Sequence, residues 1–132
     1  MDSPSSSPYR AAAELRAALR AFERKAEIAA RANGLTPRRY DLLLMVAATE
    51  DATVTKLMDR LQLGKAAVSE LVQRGIDRRL LERRPSPVDR RETLLQVSEL
   101  GKQKLDATLA SLHGEQLLPI IPPDHAGPSL SR

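Results

Sequence analysis

The sequence predicts a mainly α-helical domain with one small β-hairpin, and three observations carry that prediction. Ala and Leu dominate the apolar residues, while aromatic residues are 2% of the chain (Tyr9, Phe22 and Tyr40), a balance that favours helices. Apolar residues recur at helical spacing through most of the chain. From Leu81 to Val97 the period changes, and Pro85-Ser86-Pro87-Val88-Asp89 breaks the run. Proline lacks the amide donor and fixes φ, so that stretch is a turn between two strands.

The elements follow in order. Residues 1–8 are rich in Ser and Pro and read as a disordered tail. A first helix fits 9–33, with Leu15, Leu19, Phe22, Ala26 and Ala29 on one stripe; Asn33-Gly34 stops it, because both residues tolerate a left-handed cap. Thr36-Pro37 starts a second helix with an N-cap hydroxyl and a proline at its first position. Its apolar face is read as Tyr40, Leu43, Leu44 and Ala47. Thr53 caps a short third helix that buries Val54, Leu57, Met58 and Leu61. After the turn Gln62-Leu63-Gly64, a fourth helix fits 65–79, with Val68, Leu71, Val72 and Ile76 inside and Lys65, Ser69, Gln73 and Arg74 outside. Two short helices around a tight Gly-containing turn are the helix-turn-helix layout. Strands at 81–84 and 92–97 make the hairpin, a "wing" with a basic tip; Thr93, Leu95 and Val97 share one face. A last helix runs from Ser98 to about residue 118, with Leu100, Leu105, Leu109 and Leu112 on one side, and 119–132 is a Pro-rich tail.

Charge narrows the partner. Between Arg60 and Arg91 stand nine basic residues and four acids, within a chain of net charge +4. Such an excess suits a polyanion, because Lys and Arg neutralise phosphates and release counterions, although a solvated Arg-rich face accounts for charge alone equally well. Low aromatic content argues against modules that stack single-stranded bases. With no cysteine, disulfides and thiolate metal sites are excluded. His113 and His125, the two histidines, lack further ligands at rigid spacing, and no nucleophile–base pair or phosphate-binding Gly loop is present. No enzyme activity, metal or cofactor is expected. Neither a membrane span nor a secretory signal is seen, so a cytoplasmic protein is expected.

Three stretches carry a family resemblance: Leu35-Thr36-Pro37-Arg38-Arg39-Tyr40-Asp41-Leu42-Leu43, then Val54 through Gly64, then Glu82-Arg83-Arg84-Pro85-Ser86-Pro87-Val88-Asp89-Arg90-Arg91 leading into Ser98-Glu99-Leu100-Gly101. The basic hairpin with Asp-x-Arg at its tip is the most specific. In these residues the chain resembles the MarR family of bacterial transcription regulators, from about Leu15 to Leu112. The resemblance implies a winged helix-turn-helix fold over 9–118, with a DNA-binding lobe at 34–101 and dimerisation helices at 9–33 and 98–118. It implies a homodimeric repressor on double-stranded DNA, with the fourth helix in the major groove and the wing in the adjacent minor groove. The implied DNA-binding residues are Arg38, Lys65, Ala66, Ser69, Gln73, Arg74, Arg84, Asp89, Arg90 and Arg91, with Arg83 flanking the backbone. Arg91 is the expected minor-groove residue, since a narrow groove concentrates negative potential, and Asp89 is placed to hold its guanidinium. Asp89 and Arg91 also suffice merely to staple the loop, and Ser69 either reads a base or back-bonds within its helix. Leu15, Leu19, Leu105, Leu109 and Leu112 are implied to form the dimer seam. A small effector is implied to sit near Phe22 and Tyr40, although Tyr40 is more often core.

The chain departs from the family pattern at four places. Gly64-Lys65 replaces a Ser/Thr cap on the fourth helix. Arg79 stands where Gly is usual and is expected to take an unfavourable turn geometry. Gly75 replaces a buried Leu and is expected to loosen the packing. The Pro-rich tail replaces a final helix, so Ile120 and Ile121 are expected to pack on the partner subunit. These departures sustain an alternative: a winged-helix protein–protein adaptor that does not read DNA.

Overall fold

The computed structural model describes residues 7–112. In order, these form α1 (Pro8–Ala32), α2 (Pro37–Ala48), α3 (Val54–Leu61), α4 (Lys65–Asp77), β1 (Leu81–Pro85), β2 (Thr93–Val97) and α5 (Glu99–Leu112). The expectations for the Ser/Pro-rich start, the Pro-rich tail, the last helix beyond Leu112, the two histidines, Ile120 and Ile121 lie outside the described residues.

Local chemistry sets the helix ends. The Thr36 hydroxyl accepts from Arg39 N (3.2 Å) and the Thr53 hydroxyl accepts from Lys56 N (3.2 Å), so both predicted N-caps form. Gly64 caps α4 without a side-chain bond. Two helices end in the same motif. After α1, Leu35 N donates to Ala30 O (2.9 Å) and Gly34 N to Arg31 O (3.1 Å). After α4, Leu80 N donates to Gly75 O (2.8 Å) and Arg79 N to Ile76 O (2.9 Å). Both are Schellman caps, which need a left-handed residue. Gly34 supplies it at φ 77°, whereas at α4 the residue is Arg79 at φ 62°. The expected unfavourable geometry is therefore present. A left-handed L-residue costs about 1–2 kcal/mol, and glycine returns about 0.5–1 kcal/mol of that as unfolded-chain entropy. We expect Arg79→Gly to raise stability by about 0.5–1 kcal/mol in urea denaturation; a less stable variant would remove the strain assignment.

The core gathers one face of every helix. Leu35, Leu42, Leu43, Leu57, Val68, Leu81 and Leu112 are fully buried, with Ala26, Ala29 and Ala30 of α1. The small alanines let α5 lie close along α1. The expected inner face of α2 needs correction: Leu42 and Val46 are buried with Tyr40 and Leu43, and Ala47 is exposed. Leu100 of α5 also faces solvent, while Leu105, Thr108 and Leu112 face inward.

The hairpin pairs Leu81 with Val97 and Pro85 with Thr93 in an antiparallel register. It is not free-standing. Leu95 N donates to Ala52 O (2.8 Å) in a bridge to the turn between α2 and α3. That bridge covers β2, so Leu94 and Leu95 are both buried instead of the expected strict alternation.

Gly75 corrects a further expectation. A Cβ there would stand 3.0 Å from Leu81 Cδ1 and 3.5 Å from Leu42 Cδ2. The space of the missing side chain is filled by these leucines, so the packing around α4 is tight rather than loosened.

Ser98 joins the fourth helix to the fifth. Its amide donates to Leu80 O (2.9 Å), its hydroxyl donates to Arg79 O, and its oxygen accepts from Gly101 N (3.0 Å). One residue thus caps α5 and secures the strained end of α4.

Candidate nucleic-acid interface

Helix α4 buries Val68, Val72 and Gly75. At 3.6 residues per turn the opposite face presents Ala66, Ser69, Glu70, Gln73 and Asp77, flanked by Lys65 and Arg74; all seven are exposed. The predicted outer residues therefore lie together on one face. The Ser69 hydroxyl makes no hydrogen bond among the described residues, so the back-bonded alternative is not adopted. Gln73 is held at both ends: its Oε1 accepts from Arg83 Nη2 (2.7 Å) and its Nε2 donates to Asp77 Oδ1 (2.9 Å). Arg74 pairs with Glu70 (2.8 Å) one turn away. Glu70 was absent from the sequence-based set, although its place on the outer face follows from the same helical spacing. A carboxylate there is an acceptor suited to cytosine N4.

The hairpin loop is built by two side chains. Ser86 is buried, and its Oγ accepts from the amides of Val88 and Asp89 (3.2 Å each). Asp89 Oδ1 then accepts from Arg91 N (3.0 Å) and Arg91 Nε (3.3 Å). The predicted Asp89–Arg91 pair therefore forms, on a turn closed by Glu92 N donating to Asp89 O (3.0 Å). The Arg91 side chain is 92% exposed. Its guanidinium is pre-aimed at one nitrogen and otherwise free. Arg90 is exposed beside it. Arg84 reaches back to Asp51 (3.7 Å), at the bridge that anchors β2. Sequence reading missed Ser86, whose signal was a small hydroxyl residue between two prolines.

Arg38 is exposed near the start of α2. It borders a cavity of about 370 Å³ lined also by Pro37, Asp41, Leu61, Leu63 and Leu71. Burial holds the Asp41 carboxyl above its usual range, and Glu23 adds to the rise while Arg38 opposes it. Tyr40 is 6% exposed and belongs to the core cluster. This matches the core reading of Tyr40 that the sequence also offered, and burial raises its phenol pKa. Phe22 is half-buried. Of the residues expected at a dimer seam, Leu105 and Leu112 are buried within the protomer, Leu19 and Leu109 are half-buried, and Leu15 is 60% exposed. Packing within the chain accounts for Leu105 and Leu112, and Leu15 is the most open of the five. Among the described residues no helix is long and apolar enough to cross a membrane.

Comparison with known proteins agrees with this geometry. A MarR family model matches residues 33–92, the span that holds the helix-turn-helix and the wing. No curated protein matches the sequence. Among solved structures, a MarR family transcription regulator is 23% identical and superposes with a TM-score of 0.72, over 93% of this chain and 79% of that one. A mutant of MarR from E. coli complexed with operator DNA is 16% identical with a TM-score of 0.66, over 86% and 83% of the two chains. CouR from Rhodococcus jostii bound to p-coumaroyl-CoA is 19% identical with a TM-score of 0.69, over 96% and 88%. The structures share the fold, and the family model adds the sequence pattern that fills it. Over residues 33–92 the chain resembles the MarR family, and it shares the winged helix-turn-helix fold of these solved structures.

Proposed function

We propose that the protein is a sequence-specific, double-stranded DNA-binding transcription regulator. The observation that carries this reading is the Arg91 guanidinium, 92% exposed and held by Asp89 at the hairpin tip. Helix α4 enters the major groove, where base edges are distinguishable. Ala66, Ser69 and Gln73 face the bases, Arg74 lies at the edge of that face toward the phosphate backbone, and Arg91 enters the adjacent minor groove. Arg38, Lys65, Arg84 and Arg90 contact phosphates. E. coli MarR complexed with operator DNA, on the same fold, supports this placement. In this reading the protein is a cytoplasmic repressor.

The working unit is a homodimer on an inverted repeat, with half-site centres about 10 base pairs apart. The lobe at 34–101 reads DNA, and α1 and α5 pair with the partner. Exposed Leu15 on α1, with Leu19 and Phe22 along the same stripe, supports that surface. Leu15→Ser is expected to shift sedimentation toward monomer; unchanged association would remove α1 from the seam. A small effector that alters DNA affinity completes the reading, supported by CouR bound to p-coumaroyl-CoA.

The adaptor alternative drew support from an expected loosening at Gly75. Leu81 and Leu42 fill that space, so that part of its support is gone. Selection of bound sites from random duplex DNA tests the proposal. An inverted repeat should be enriched; no enrichment by folded protein would overturn it.

A further inference from the structure

Helix α2 brings Arg39 against the C-terminal half of α4. There Arg39, Arg74, Asp77 and Arg78 line a cavity of about 350 Å³. Three guanidiniums thus face one carboxylate, and the local acids are already engaged. Asp77 accepts from Gln73 (2.9 Å), and Glu70 is paired with Arg74 (2.8 Å). Arg39 and Arg78 make no side-chain hydrogen bond or ion pair among the described residues. Arg39 is also half-buried. Burial lowers its pKa first, and the charges of Arg78 and Arg74 lower it further.

Converging like charges raise the free energy of the folded state where counter-ions do not fully offset them, most of all where water is partly excluded. Asp77 and Glu70 offset two of the three guanidiniums, so the set keeps one positive charge in excess. Guanidinium forks match the oxygens of a phosphate group in bidentate geometry. The position indicates its source. Arg74 and Arg78 lie roughly 100–140° around the helix axis from Gln73, the residue held by Arg83 of the hairpin. The cavity is therefore on the flank of α4 away from Arg83. A helix lying in a groove has a phosphate backbone along each flank.

We propose that Arg39, Arg74 and Arg78 form a phosphate-binding site on this flank of α4, and that it takes one phosphodiester of the DNA backbone. The choice of DNA as source rests on the functional reading above; the phosphate chemistry does not.

Arg39→Gln and Arg78→Gln test the site without touching the Glu70–Arg74 pair. Each full-length variant is titrated with the selected duplex and with a scrambled one across a range of salt concentrations. Each is also melted without DNA, in inorganic phosphate and in chloride at matched ionic strength. Both variants should melt at or above the wild-type temperature in chloride, because repulsion is relieved, and phosphate should raise the melting temperature of the wild type more than theirs. On DNA, each should weaken both duplexes by the same factor and reduce the steepness of the log affinity–log salt plot by about 0.9. A phosphate effect with unchanged DNA titrations would keep the site and overturn its DNA source. Variants that match the wild type in both measurements would overturn the site itself. If the wild type binds neither duplex, the functional reading fails, and the phosphate melts alone decide whether the site exists.

Discussion

Gly101→Ala is expected to melt well below the wild type, with a loss at the upper end of the usual overpacking range of about 1–3 kcal/mol. An added Cβ would stand 2.3 Å from Leu80 O and 2.8 Å from Val97 Cγ1. The first contact is with backbone, which cannot swing aside like a side chain. Leu80 O also accepts from Ser98 N (2.9 Å), and Leu80 N donates to Gly75 O (2.8 Å). Moving Leu80 therefore opens the cap of α4, while moving Gly101 pulls its amide from Ser98 Oγ (3.0 Å). Either way a buried backbone group loses its partner, which costs about 1–3 kcal/mol more. Urea denaturation of the two proteins decides this, and midpoints within error of each other would refute the close approach.

Arg91→Ala is expected to fold like the wild type and to lose about 1–3 kcal/mol of affinity for its selected site, roughly a ten- to hundredfold weakening. Stability is spared because the 92% exposed side chain has Asp89 as its polar partner, and an exposed pair of this kind contributes about 0–1 kcal/mol. The loss should be visible in duplex titrations at fixed salt. A dissociation constant within twofold of the wild type would remove Arg91 from the minor groove and leave the Asp89 pair as a loop staple only.

Much of the fold was legible because it is set by residues near one another in sequence. Thr36, Thr53 and Gly34 mark helix ends through their own hydroxyls or their own φ. The turn between β1 and β2 is written in Pro85, Pro87 and the Asp89–Arg91 spacing. What was misread depends on neighbours distant in sequence. Three consecutive leucines, Leu42 to Leu44, leave the phase of α2 open, and tertiary packing selects Leu42 and Val46 over Ala47. The paired burial of Leu94 and Leu95 comes from the Ala52 bridge. Gly75 resembles a defect until Leu81 arrives from β1 to occupy the space. The interface shows the same division. Lys65, Ala66, Ser69, Gln73 and Arg74 share a face by helical periodicity alone. Arg39 joins Arg74 and Arg78 only when α2 packs on α4, and no spacing rule reveals that.

The residue that ends one helix and begins the next has a kinematic consequence. Ser98 holds Arg79 O and Leu80 O on one side and Gly101 N on the other, and Gly101 leaves no clearance against Leu80. No slack remains between α4 and α5, so the two helices behave as arms of one rigid crank. Any rotation of α5 against α1 swings α4 through a matching arc, and the hairpin, fastened at Leu81 and Val97, is carried with it.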